Sequence, residues 1–259
     1  MPDDMAKGKE SQIPTNLRLL LILEEVAARG VAVKPSELTE AMGLPKPTVH
    51  RLLQTAEAEG FLQRDIDGRA YGPGPRLRAL SMNTMSSERL RTARLAILKS
   101  VSDEIGETCN LTTPDREGMT YLDRVETSWP LRIQLPIGTQ VPFHATSSGK
   151  LYLSTLRSRA LQGYLAGAKL TPHTPNTITD PEALARELGL IRKQGYATDH
   201  QEFLPQMVAV AVPVLDAQDR LLATLAVHAP LQRRSVDDLL GFLDVLRDGA
   251  RRLSQLHAG

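Results

Sequence analysis

A chain of 259 residues with 41% hydrophobic and 24% charged side chains has the makeup of a soluble globular protein, with room for one large domain or two ordinary ones. No run approaches the ~20 apolar residues of a membrane span, and the opening MPDDMAKGKESQIP lacks the apolar core of a secretory leader, so a cytoplasmic protein is expected. The single cysteine, Cys109, excludes an intrachain disulfide or a cysteine-rich zinc site, and with a net charge of +1 any nucleic acid must be met by a local patch.

In chain order, residues 1–13 are polar and irregular and are expected to form a tail. The apolar stretch Leu17 to Arg29, closed by Gly30, predicts a first helix. Pro35 and Ser36 open a second over ELTEAM, which Gly43 ends. Pro47 suits the first position of a third, running to Glu59 before Gly60. FLQRDIDGRAYG then reads as a hairpin about Asp67 and Gly68. Past GPGP at 72–75, Leu90, Ile97, Val101 and Ile105 fall on one stripe of a long helix, with Arg89, Arg91, Arg94 and Lys99 on its other face. Such a stripe must be hidden, either between subunits or within its own chain. Period-two runs at 119–126, 131–136, 207–215 and 221–229 predict strands. Helices are expected at about 148–158 and 181–194 and from Ser235 to His257. The second half therefore reads as a mixed α/β domain with an antiparallel sheet.

The third helix carries the first candidate site. Val49, Leu52, Leu53 and Ala56 have the spacing of a buried face, which leaves Thr48, His50, Arg51, Gln54 and Thr55 outward. A helix of this size fits the DNA major groove, where Arg bridges guanine O6 and N7 and Gln pairs with adenine. Lys46, Thr48 and the helix N-terminus suit phosphates, and a hairpin tip carrying Arg64 and Arg69 suits the backbone or the minor groove. On spacing alone, an ordinary helical bundle with a solvated polar face stays open beside this reading.

The second candidate is Ser147-Ser148-Gly149-Lys150. Ser-x-x-Lys is an acylating motif in penicillin-binding proteins, but its Ser-Asp-Asn and Lys-Thr-Gly companions are absent. A phosphate loop also fails, because His144 and Leu151 stand where it needs Gly and Ser or Thr. What remains is a helix start capped by Thr146 or Ser147, whose free N–H groups attract an anion such as a carboxylate or merely await their cap. His228 interrupts an apolar strand, and a buried imidazole needs a partner, from a ligand or from the backbone. Asp199 and Glu202 could pair with cations, cap structure or reach a ligand. The six histidines show no helical metal spacing, and no metal or cofactor is expected.

LLILEEVAARG, ELTEAMGLPKPTVHRLLQTAEAEGFL and GRAYGPG closely resemble the N-terminal domain of the IclR family of bacterial transcriptional regulators. PFHATSSGKLYLS at 142–154 and GYATDHQEFLPQMVAVAVPV at 195–214 resemble two segments of that family's effector domain, so the likeness runs from about residue 14 to the C-terminus. Pro47 departs from a frequent serine, and Ala209 lies where a cysteine is common, which removes a cysteine contact to the effector. The resemblance implies an α+β protein: a winged helix-turn-helix at 14–80, a linker helix at 81–106, and a GAF-like α/β effector-binding domain at 107–259. It implies operator DNA as partner, and a homodimer or a dimer of dimers. It also implies an effector, expected to be a small carboxylic acid, aromatic ones included, lined by Thr146, Ser147, Ser148, Asp199, Met207, Ala209 and His228. The rival reading is an enzyme acting on such an acid, for which no catalytic set is visible.

Overall fold

The computed structural model describes residues 13–65, 67–85, 88–115, 117–132 and 135–256. The expected tail at 1–12, residues 133–134 of the expected third-quarter strand and the helix end at His257 lie outside them. The chain divides into two compact units, residues 1–87 and 88–259.

In the first unit, α1 (Arg18–Arg29), α2 (Pro35–Met42) and α3 (Lys46–Ala58) are followed by β1 (Leu62–Arg64), β2 (Tyr71–Pro73) and α4 (Pro75–Met85). Gly30 and Gly43 end α1 and α2 in the left-handed region, as the sequence leads one to expect. Pro47 is the second and not the first residue of α3, with Lys46 opening the helix. Ile22, Val26, Leu38, Val49, Leu53 and Leu62 make the core, while Leu52 packs at its margin. Val33 exchanges two 2.8 Å backbone hydrogen bonds with Tyr71 and pins the hairpin to the helices.

The second unit opens with α5 (Glu88–Ile105), followed by β3 (Thr108–Pro114), β4 (Gly118–Val125), β5 (Gln140–Pro142), α6 (Ser147–Thr155), α7 (Ser158–Gly167) and α8 (Pro181–Gln194). β6 (Ala197–His200), β7 (Met207–Leu215), β8 (Leu221–Pro230), α9 (Val236–Leu240) and α10 (Leu243–Gln255) complete it. The six strands form one antiparallel sheet in the order β5-β4-β3-β8-β7-β6. α5 and α10 cover one face, and α6 and α8 the other.

Several expectations change here. The helical stretch expected at 81–106 is carried by two helices, α4 and α5, and α5 belongs to the second unit. Its Ile97, Val101 and Ile105 are buried against β3, β4 and α10 of the same chain. Gly249 of α10 lies so close to α5 that an added Cβ would sit 2.6 Å from Val101 Cγ2. Arg94 is not on an outer face: it is fully buried, with Nε 2.6 Å from Oδ2 of the equally buried Asp123, while Arg91 reaches the other carboxylate oxygen at 3.2 Å. The described part of 131–136 is not a strand; Leu131 is exposed there, and the edge strand is β5. The terminal helix breaks at Gly241 into α9 and α10.

Candidate functional site

In the first unit, α3 presents Lys46, His50, Arg51, Gln54 and Thr55 to solvent, with Thr48 half-buried, opposite its buried Val49, Leu53 and Ala56. No side chain caps its start, so the first-turn N–H groups and Lys46 form a positive end suited to an anion. The Thr55 hydroxyl donates to the Arg51 carbonyl at 3.0 Å and is tied to its own helix. Arg69 is exposed on the hairpin loop. Arg64 is not at the tip: it ends β1, its Nε donates to Glu57 of α3 at 2.9 Å, Nη1 donates to the Gly68 carbonyl at 2.9 Å, and the guanidinium lies 5.0 Å from the Tyr71 ring centroid. It braces the hairpin against the helix.

In the second unit the site grows from α6. Thr146 caps the helix by accepting a hydrogen bond from the Gly149 N–H at 3.1 Å and donates to the Pro142 carbonyl at 2.9 Å. Gly149 is required there, since an added Cβ would lie 2.3 Å from the Phe143 carbonyl oxygen. That close approach seats the first turn of α6 directly on the preceding segment. Ser147 and Ser148 are buried, and Ser147 Oγ has no hydrogen-bond partner among the described residues.

One turn on, Lys150 is buried, with Nζ 2.5 Å from Glu202 and 3.4 Å from Glu187. It is therefore held as an ion-pair partner of Glu202 and Glu187. The Glu202 N–H in turn donates to Asp199 Oδ1 at 2.6 Å. This chain of contacts ties the first turn of α6 to β6. Register then aligns Asp199, Ala209, His228 and Thr108 in one row across β6, β7, β8 and β3, on the face that α6 covers, with Met207 two residues along the same face. Every effector-lining position expected from the sequence thus falls on the first turn of α6 or on this row and its edge.

Burial raises the Asp199 carboxyl to about 7, helped by the neighbouring Glu202 charge. Desolvation lowers the His228 imidazole to about 3, with Arg124 adding repulsion, so it is neutral near pH 7 and acts there as a hydrogen-bonding group. His144 lies to one side, its Nε2 2.9 Å from the Thr171 carbonyl oxygen and its ring 5.7 Å from that of His173.

Two residues on this face escaped the sequence reading. Asn110 pairs in register with Ala226 and with Arg124 of β4, one row along from His228. Asn110 is fully buried, and the Arg124 side chain is only 4% exposed. The bulge between Leu111 and Thr112 shifts the alternation of β4, which is why Arg124 looked like one polar residue among others in MTYLDRVE.

Family models match both units: "IclR helix-turn-helix domain" over residues 17–65 and "Bacterial transcriptional regulator IclR C-terminal" over residues 82–255. The chain is 41% identical over 231 residues to the "Probable transcriptional regulator SauR" of Cupriavidus necator, covering 89% of this chain and 92% of that one. It is 26% identical to the "Transcriptional repressor IclR" of Escherichia coli, over 96% and 91% of the two chains. Among solved structures, the Thermotoga maritima IclR matches with a TM-score of 0.62 at 28% identity, covering 93% and 97%. An IclR homologue from Microbacterium hydrocarbonoxydans, crystallised with 4-hydroxybenzoate, matches with a TM-score of 0.59 at 25% identity, covering 94% and 98%. With a helix-turn-helix unit and an effector unit matched in one chain, the protein belongs to the IclR family and is a DNA-binding transcriptional regulator, not an enzyme.

Proposed function

We propose that the protein senses a small organic acid and, in response, alters transcription of an operon that consumes it, as a homodimer or a dimer of dimers on its operator. The acid's carboxylate sits at the start of α6, where N–H groups and the Ser147 hydroxyl supply charge-assisted hydrogen bonds. Asp199 and His228 approach from the sheet, Ala209 leaves space between them, and Met207 offers an apolar edge. The observation that carries this reading is the Ser147 hydroxyl: buried, without a partner among the described residues, and on the helix turn that Lys150 and Glu202 tie to the Asp199 row. A ligand in the related structure from Microbacterium hydrocarbonoxydans lends support, and aromatic acids belong among the compounds to be tried. Operator binding uses the exposed face of α3, with Arg51 and Gln54 at base edges, Lys46 at phosphate and Arg69 on the hairpin loop alongside.

Calorimetric titration of small carboxylic acids into the wild type and a Ser147→Ala variant tests this. Loss of one hydrogen bond to a charged group should weaken binding about tenfold or more, with DNA affinity in the absence of acid unchanged. Equal affinity in both proteins would move the site elsewhere.

A further inference from the structure

The α6-facing side of the sheet holds more polar chemistry than one carboxylate needs. Asn110 lies in the middle of the sheet at 0% exposure, and among the described residues neither its Oδ1 nor its Nδ2 has a hydrogen-bond partner. Unpaired amides in such positions are rare, because buried polar groups are almost always hydrogen-bonded. Beside it in register stands Arg124, whose guanidinium touches Glu126 at 3.3 Å and lies 6.0 Å from the Tyr121 ring centroid. Glu126 is shared with Arg132 at 2.7 Å, so two guanidinium groups draw on one carboxylate. His228 and Tyr121 both lie within the electrostatic reach of Arg124, and Tyr121 also feels Asp199. By register, Asn110, Arg124 and His228 stand on one face of the sheet, the face that α6 covers.

We propose that the effector is a short dianion, with one carboxylate at the N-terminus of α6 and a second oxyanion group held by Arg124 and the Asn110 amide. The proposal rests on the reading of the α6 turn as the effector site. Arg supplies a planar fork that matches an oxyanion, and the Asn110 Nδ2 supplies a further donor. Asn110 and His228 are diagonal neighbours on adjacent strands, about 7–8 Å apart, so a ligand of a few carbons lying along this face reaches both. An anion at this position also satisfies the Asn110 donor and leaves its Oδ1 to accept from a ligand hydroxyl or water.

The test is titration calorimetry on the full-length protein with propionate, butyrate and valerate against malonate, succinate and glutarate. The wild type should bind the best dianion at least tenfold more tightly than the monoanion of equal length. Arg124→Gln and Asn110→Leu should bring the two classes to within about twofold while leaving monoanion affinity where it was, and Arg124→Lys should keep part of the preference. Asn110→Leu removes an unpaired amide, so its melting temperature should hold; it decides the question if Arg124→Gln fails to fold. Equal binding of both classes by the wild type, or a dianion preference that survives Asn110→Leu and Arg124→Lys undiminished, overturns the second subsite and leaves the α6 site standing. No binding of any acid, with or without Ser147, overturns the α6 reading itself.

Discussion

Arg94 of α5 and Asp123 of β4 form an ion pair with both side chains fully buried, Nε to Oδ2 2.6 Å. Two charges taken out of water gain little net stability together, but either one left alone is costly. Arg94→Met should therefore destabilise the second unit by about 3–5 kcal/mol, and the double replacement Arg94→Met with Asp123→Leu should recover most of that loss. Denaturant unfolding of the wild type, the two single variants and the double variant measures the coupling. Purely additive losses would show that the pair acts as two independent groups.

The same packing decides what the α5 stripe does. Ile97 and Val101 are buried against their own sheet and α10, so Ile97→Glu with Val101→Glu should lower the melting temperature strongly. Sedimentation of the folded fraction should show the wild-type oligomer. Dissociation without loss of stability would mean that the stripe serves a subunit interface instead.

On the DNA side, Arg51→Ala should relax sequence preference and cost about 1–3 kcal/mol of specific binding. Lys46→Ala should weaken binding to every sequence and flatten the salt slope by about one unit. Arg64→Ala should act differently from both, by loosening the hairpin that Arg64 braces through Glu57 and Gly68. Binding isotherms at several salt concentrations, on operator and random DNA, separate these roles. Equal loss on both DNAs for Arg51→Ala would remove its base-reading role.

Asp199 and His228 should give opposite pH dependences of stability. The folded state raises Asp199 from 3.8 to about 7 and so holds its proton more firmly than the unfolded chain; its favourable contribution is present at low pH and lost as pH rises from about 4 to 7. The folded state lowers His228 from 6.5 to about 3, so its contribution is present above 6.5 and lost as pH falls toward 3. The two offset each other between about pH 4 and 6.5. In Asp199→Asn, stability should climb with pH across that window by at least about 1 kcal/mol, and in His228→Gln it should decline. Denaturation midpoints at several pH values would show parallel curves for all three proteins if neither group is shifted.

Much of this architecture is legible in the residues. α8 and β7 match their expected bounds residue for residue, because Pro181 opens and Gly195 closes a strongly amphipathic helix and MVAVAVPVL is an uninterrupted apolar run with valine at every second position. The outward set on α3 follows from its apolar spacing alone. β3 is absent from the expected strands because the polar Thr108, Asn110 and Thr112 that alternate with Cys109 and Leu111 are themselves buried, so its hydrophobic signal is weak. The strand expected at 131–136 is drawn by apolar residues of which the described Leu131 and Leu135 lie outside any strand, whereas β5 is only three residues long. Charge misled twice. Arg94 and Lys150 look like surface residues in sequence, and only the distant Asp123 and Glu202 make their burial tolerable. Asn110 and Arg124 were missed because their importance arises from register across three strands and a bulge, which one strand's sequence does not carry.

Asp123 and Arg124 are consecutive residues, and strand alternation sends them to opposite sides of a single layer: Asp123 toward Arg94 of α5, Arg124 toward the α6 side. One peptide unit thus joins the anchor of α5 to the side where an acid is proposed to bind. An acid held by the Arg124 guanidinium would therefore restrain a residue next in sequence to that anchor. Amide exchange along α5, measured with and without bound acid, would register the transmission as a change in protection near Arg94.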